Sequence, residues 1–148
     1  VIVLDTTVLL YAKGADHPLR DPARRLISAV TDGAIEATTT AEVIQEFVHV
    51  RARRRGRADA VALGGDYADL LSPLLTVTAE QLQRGLEIFN RCERLGAFDA
   101  VLAAAAMSQG TDALVSADAA FGTVPSLVHI SPDDDGVTRL LSAGFGES

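Results

Sequence analysis

The sequence predicts an α/β fold, a central parallel sheet flanked by helices, in a single domain over residues 1–148. Three observations predict it. Residues 1–4 and 113–115 are short, wholly apolar runs, the pattern of strands buried on both faces. The stretches between such runs show helical spacing and helix punctuation, so strands alternate with helices. The composition is globular, 48% hydrophobic and 22% charged over 148 residues, with no repeat, low-complexity tract or dividing linker.

The elements follow in order. Residues 1–4 form a first strand that ends at Asp5. His17-Pro18 marks a loop, and Asp21 as N-cap with Pro22 at the first position opens a helix. Its apolar stripe is Ala23, Leu26, Ile27 and Val30, and Gly33 stops it. Residues 35–38 are a short strand. Thr39 with Glu42 fits a capping box for a helix to about Arg55, which Gly56 breaks. A second helix over residues 58–71 makes a hairpin with the first, its Gly64-Gly65 pair arguing against an unbroken helix. Residues 73–77 read as another strand. Thr78 with Gln81 repeats the capping box for a helix that ends near Gly96. Asp99 opens an alanine-rich helix that stops at Gly110. Residues 113–116 and 127–130 are the last two strands, and Asp133-Asp134-Asp135 before Gly136 reads as a solvated turn.

Composition excludes several classes. Aromatics are 5% with no Trp, so Ala, Val, Leu and Ile build the core, with Phe47, Phe89 and Phe98 as its aromatic members. One cysteine, Cys92, rules out an internal disulfide and a C-x-x-C site, and it reads as a small apolar helix residue. A reducing, cytoplasmic location is expected. No apolar run is long enough to span a membrane, and the start, which meets Asp5 at once, does not resemble a signal peptide. No G-x-G-x-x-G follows the first strand, which disfavours a dinucleotide site. The net charge of −7 argues against nucleic-acid binding by the whole surface, but its distribution is uneven. Arg139 is the only basic residue after position 98, against seven acids, whereas Arg51, Arg53, Arg54, Arg55 and Arg57 form one basic block.

Ligands of open parallel sheets bind beyond the carboxyl ends of the strands. Asp5 directly follows the first strand, and Asp118 follows the 113–116 strand. Asp99 sits at a helix start, where the dipole favours a carboxylate; taken alone it reads better as a cap, and Asp118 alone reads equally as a turn residue. On the 39–55 helix, Val43, Ile44, Phe47, Val48 and Val50 share an apolar arc. Glu46 lies at the rim of that arc facing a half-buried seam, while Glu42 lies further round toward water, so Glu46 is the preferred fourth acid. Carboxylates gathered in one site require a cation or raise one another's pKa. An all-oxygen set suits Mg²⁺, with Mn²⁺ as the substitute, and the chemistry that uses it is displacement at phosphorus. His17, His49 and His129 follow no common local pattern and read as surface or satisfied residues.

The chain resembles the PIN domain, and within it the VapC toxins of bacterial toxin–antitoxin pairs. The matching pieces are Val3-Leu4-Asp5-Thr6-Thr7, Val43-Ile44-Gln45-Glu46-Phe47, Phe98-Asp99-Ala100-Val101 running on to Ala106, and Val115-Ser116-Ala117-Asp118-Ala119-Ala120-Phe121. The resemblance covers about residues 1–131 and implies a PIN-like three-layer fold. It carries the family's acidic quartet onto Asp5, Glu46, Asp99 and Asp118 as catalytic and metal-holding residues. The family's hydroxyl before the last acid falls on Ser116. Thr7 stands where the family usually has Asn or Ser.

The resemblance further implies a Mg²⁺-dependent endoribonuclease that cuts structured RNA such as tRNA or rRNA. It also implies a VapB-like antitoxin that blocks the site, and a homodimer. Attack by a metal-activated water leaves a 5′-phosphate and a 3′-OH. The arginine block offers phosphate contacts to RNA, or else forms a solvated helix end. Rival readings are a metal-dependent phosphatase or DNA nuclease on the same site, and a non-catalytic module whose acids receive a partner's Arg or Lys.

Overall fold

The computed structural model describes residues 1–143; residues 144–148, the end of the expected domain 1–148, lie outside the described residues. Four strands, β1 (Ile2–Leu4), β2 (Ala37–Thr38), β3 (Ala113–Val115) and β4 (His129–Ile130), form a parallel sheet in the order β2-β1-β3-β4. Ile2, Val3 and Leu4 pair with Ala113, Leu114 and Val115, and all six are buried, as the unbroken apolar runs require. The chain leaves β1 for β2 on one side and later returns to β3 on the other. The order in which strands are added therefore reverses between β1 and β3, and a crevice opens beyond their carboxyl ends.

Helices flank the sheet: α1 (Thr6–Lys13), α2 (Arg20–Thr31), α3 (Ala41–Arg55), α4 (Arg57–Leu70), α5 (Ala79–Arg91), α6 (Ala97–Ser108) and α7 (Asp134–Ala143). Two were not expected. α1 follows β1 with only Asp5 between them, so Val, Leu and Thr run on from strand into helix with no sequence break. α7 occupies the expected acidic turn: Asp133 Oδ1 accepts the Gly136 N–H at 2.7 Å, which caps its first turn. Arg25 of α2 holds α7 by donating to Thr138 Oγ1 at 2.8 Å.

Other boundaries shift for local reasons. α2 begins at Arg20, one residue before the expected Asp21 cap. The cap of α3 is Thr40, whose hydroxyl accepts the Val43 N–H at 3.2 Å. Thr39 instead donates to the Leu4 carbonyl at 2.6 Å, so no Thr39–Glu42 capping box forms. Residues 73–77 are not a strand: Pro73 has no N–H for a ladder, and Leu75 makes only an isolated bridge to Thr40. α5 carries the expected Thr78–Gln81 capping box but ends at Arg91, where Cys92 and Leu95 turn inward and are buried.

Two helical hairpins complete the architecture. Gly56 at φ 90° makes the reversal between α3 and α4, a conformation that Cβ-bearing residues rarely adopt. The helix α4 runs unbroken through Gly64-Gly65, and Gly64 lets it approach α3, where a side chain would collide with Val48. Tyr67 of α4 packs edge-on against Phe47 at 5.1 Å and donates its hydroxyl to the Leu9 carbonyl of α1 at 3.0 Å. Burial keeps that phenol protonated. α5 and α6 approach so closely that a Cβ on Gly85 would lie 2.7 Å from the Val101 Cα. No helix among the described residues is long and apolar enough to cross a membrane.

Candidate active site

The crevice beyond β1 and β3 is where the acids meet. Asp5 continues the ladder, its N–H donating to the Val115 carbonyl at 3.0 Å, and stands at the N-terminus of α1. Its side chain makes no capping bond and is only 3% exposed. One oxygen, Oδ2, accepts from Ser116 Oγ at 2.6 Å and from Thr7 Oγ1 at 3.0 Å. Ser116 is next in register across the sheet and fully buried. Each hydroxyl is itself pinned by a backbone N–H, Ser116 by that of Asp118 and Thr7 by that of Ala117, both at 3.0 Å. With their acceptor sides occupied, both hydroxyls turn their single proton toward Asp5. The other Asp5 oxygen has no protein hydrogen bond among the described residues.

The remaining acids arrive from three elements. Glu46 on α3 accepts through Oε2 from Thr6 Oγ1 at 2.9 Å; Thr6 is 2% exposed, in the first turn of α1. Asp118 caps a short 3-10 helix over Ala119–Thr123, its Oδ1 accepting the Ala120 N–H at 2.9 Å. Asp99 lies in the first turn of α6, which begins at Ala97 with Gly96 at its cap position. Burial first, then the charges of Asp5, Glu46 and Asp118, push the Asp99 carboxyl up from 3.8 to about 7. The structure thus brings the four expected carboxylates within electrostatic reach of one another.

They do not close into a ready-made coordination shell: among the described residues, no three acidic, His or Cys side chains converge on a single ion position. The donor set still fits a hard cation. It is all oxygen, carries repelling negative charge, and faces the crevice with carboxylate oxygens that no protein donor occupies. Mg²⁺ keeps several of its waters and takes few direct carboxylates, so an open set of this kind suits it.

Both glutamates of α3 border a cavity of about 340 Å³ that also contains Asp5 and Asp99. The expected division, with Glu42 toward water and Glu46 in a half-buried seam, is corrected: both are exposed, and only about 40° of helical rotation separates them. What distinguishes Glu46 is its bond to Thr6 and its charge acting on Asp99. The opposite wall of the cavity is apolar, with Leu82 and Leu86 of α5 and Phe98 and Val101 of α6. The expectation that Phe89 and Phe98 belong to the core fails: they are 47% and 83% exposed, and of the three expected core phenylalanines Phe47 alone is buried. Helical spacing alone does not say whether a covering element exists.

The basic block divides. Arg51 is committed within the fold, paired with Asp59 at 2.5 Å (Nε–Oδ1) and donating to the Lys13 carbonyl at 2.9 Å. This pairing holds the Asp59 carboxyl below its usual range. Arg53, Arg54, Arg55 and Arg57 are exposed at the tip of the α3–α4 hairpin. Arg53 lies about 10 Å along the helix axis from Glu46. The histidines keep separate company: His17 stacks on Tyr11 at 4.4 Å, exposed His49 lies on α3, and His129 contacts the Ser116 carbonyl at 2.9 Å. Sequence reading missed Thr6, which is adjacent to Asp5; seeing α1 was needed to know that its hydroxyl turns to Glu46.

Comparison with known proteins agrees with this arrangement. The family model described as the PIN domain matches residues 2–127. Ribonuclease VapC7 of Mycobacterium tuberculosis (strain ATCC 25618 / H37Rv) is 57% identical over 145 residues, 95% of this chain and 98% of that protein. VapC ribonuclease Mb1869c of Mycobacterium bovis (strain ATCC BAA-935 / AF2122/97) is 26% identical over 134 residues, 88% of this chain and 100% of that one. Among solved structures, the sarcin-ricin-loop-cleaving toxin VapC20 of M. tuberculosis superposes with a TM-score of 0.69 at 21% identity, over 86% of this chain and 98% of that chain. At that identity the likeness is one of fold.

Proposed function

This chain belongs to the PIN-domain family and is a VapC-type ribonuclease, and from that premise we propose that it is a Mg²⁺-dependent endoribonuclease cutting structured RNA, tRNA or rRNA. The observation that carries the proposal is the presentation of Asp5. Two hydroxyls hold one of its oxygens while the other has no protein hydrogen bond among the described residues, and Asp5 lines one cavity with Glu46 and Asp99, whose carboxyl also feels the charge of Asp118.

Asp5, Glu46, Asp99 and Asp118 are the residues that would hold the ion, with Mn²⁺ able to replace Mg²⁺. When bound, the ion supplies an activated water and neutralises charge on the phosphate oxygens. Ser116 and Thr7 orient Asp5 by donating to it. Thr6 orients Glu46 in the same way. Asp99, its carboxyl pushed up by burial and by its like-charged neighbours, would be held ionised by a bound cation, whose positive charge would offset both effects. Arg53, Arg54, Arg55 and Arg57 hold RNA phosphates at the hairpin tip, where they supply affinity and little sequence information. A VapB-like antitoxin blocks the crevice, and the chain acts as a homodimer.

The test is cleavage of total RNA by the purified, partner-free chain, with Mg²⁺ or with EDTA, beside Asp5→Ala. Discrete cuts that vanish with EDTA and with the variant, and that carry 5′-phosphate and 3′-OH ends, are expected. A 2′,3′-cyclic phosphate would show that the ribose hydroxyl attacks and would overturn the water mechanism. Cleavage of DNA or a phosphomonoester in place of RNA would move the site to a different substrate class.

A further inference from the structure

The acids occupy one side of the cavity; the other side is an apolar platform that the mechanism above leaves unused. Phe98 directly precedes Asp99 and is 83% exposed, so no described element covers its ring. Leu82 and Leu86, one helical turn apart on α5, are also exposed beside it. The platform is close-packed beneath, where Gly85 seats α5 directly on the α6 backbone at Val101. Among the described residues, no Lys, Arg or His lines the cavity. The wall has nothing to offer a phosphate, but it has an aromatic face to offer a base.

We infer that Phe98 stacks on the nucleobase beside the scissile phosphate and so helps to select where the RNA is cut. The inference rests on the RNA-cutting reading above. A phosphate at the acids is covalently tied to a nucleoside on each side, and the apolar wall adjoins Asp99, so one of those nucleosides lies over it. Unstacked bases of RNA loops are held on aromatic side chains, because every base has a π-face. Phe98 therefore favours sites where the nucleotide beside the cut is already splayed out, and disfavours continuous duplex.

The test uses the full chain and a synthetic oligoribonucleotide spanning a cut mapped in total RNA. Phe98→Ala, Phe98→Leu and Phe98→Trp are compared by initial rates in Mg²⁺. Because the side chain is exposed, all three are expected to keep the wild-type Tm. Alanine and leucine should each raise KM by about fivefold or more, the loss of one base stack, with kcat changed by less than about twofold. Tryptophan should restore KM, since it keeps the aromatic face that leucine lacks. An abasic nucleotide beside the cut should raise the wild-type KM similarly and add nothing further in Phe98→Ala. Unchanged KM in both alanine and leucine variants overturns the inference while RNA cleavage stands; a fall in protein-partner affinity in the same variants would then assign Phe98 to that partner. If the wild type cuts no RNA in Mg²⁺, the function reading falls and takes this inference with it.

Discussion

A hydroxyl that accepts a backbone N–H has one proton left to give, and where that proton points decides which carboxylate oxygen stays available. Ser116 and Thr7 both spend theirs on the same oxygen of Asp5, and Thr6 spends its own on Glu46. Removing these donors leaves the acids in place but unaimed. Ser116→Ala and Thr6→Val should each weaken Mn²⁺ binding by about 10–100-fold, measured by calorimetry without RNA, while Thr6→Ser should bind like wild type. Equal affinity in all variants would reduce the hydroxyls to packing. Asp99 makes the second prediction at this scale. Its carboxyl titrates near 7 in the fold against 3.8 unperturbed, so between those pH values the folded chain binds more protons than the unfolded one. Stability of the metal-free protein should therefore fall as pH rises from about 4 to about 7 and level off above, through this group. Asp99→Asn should lack that slope; urea midpoints across this range that shift in parallel for both proteins would contradict it.

At the scale of elements, two helix glycines look alike in sequence terms and differ in surroundings. Gly85 has the Val101 backbone against it, whereas Gly65 in α4 has no neighbour within 4 Å of where a Cβ would stand. Gly85→Val should destabilise by about 1–3 kcal/mol, because a backbone must move and not merely a side chain. Gly65→Ala should stabilise by roughly 0.5–1 kcal/mol, because the helix gains propensity and meets nothing. Denaturant midpoints of the two variants should move in opposite directions. The Gly85 change would also tilt the platform that carries Phe98, so its effect on the cavity should exceed its effect on the acids of β1 and β3.

For the molecule as a whole, charge is separated by function. The acids gather about the crevice beyond the strand ends, while the arginines that form no ion pair among the described residues stand at the hairpin tip and Arg51 is retained by Asp59. A net charge of −7 repels RNA at long range, so the tip has to supply attraction locally. Arg54→Glu with Arg57→Glu should weaken RNA binding and lower the slope of log affinity against log salt by about 0.7 for each phosphate that the tip no longer neutralises. Binding that keeps its wild-type slope would show that the tip is a solvated helix end. Arg51→Ala should act differently, lowering stability through the α3–α4 joint.

Much of this was legible from the chain. Apolar runs without alternation determine a parallel sheet, because strands covered on both faces have no polar side to show. An acid placed at the end of such a run marks where a site can form, because strand ends in these sheets open onto a crevice. Asp5, Asp118 and the capping of α5 were therefore readable locally. Tertiary structure alone decided three things. It made residues 6–13 a helix, since those residues pack against α2 and α3. It turned Thr6 toward Glu46 and Arg51 toward Asp59, since a side chain's hydrogen-bond partner is set by the element packed against it. It also left Phe98 outside the core: helical periodicity determines which residues share a face, but only the packing of the whole chain determines whether that face is covered.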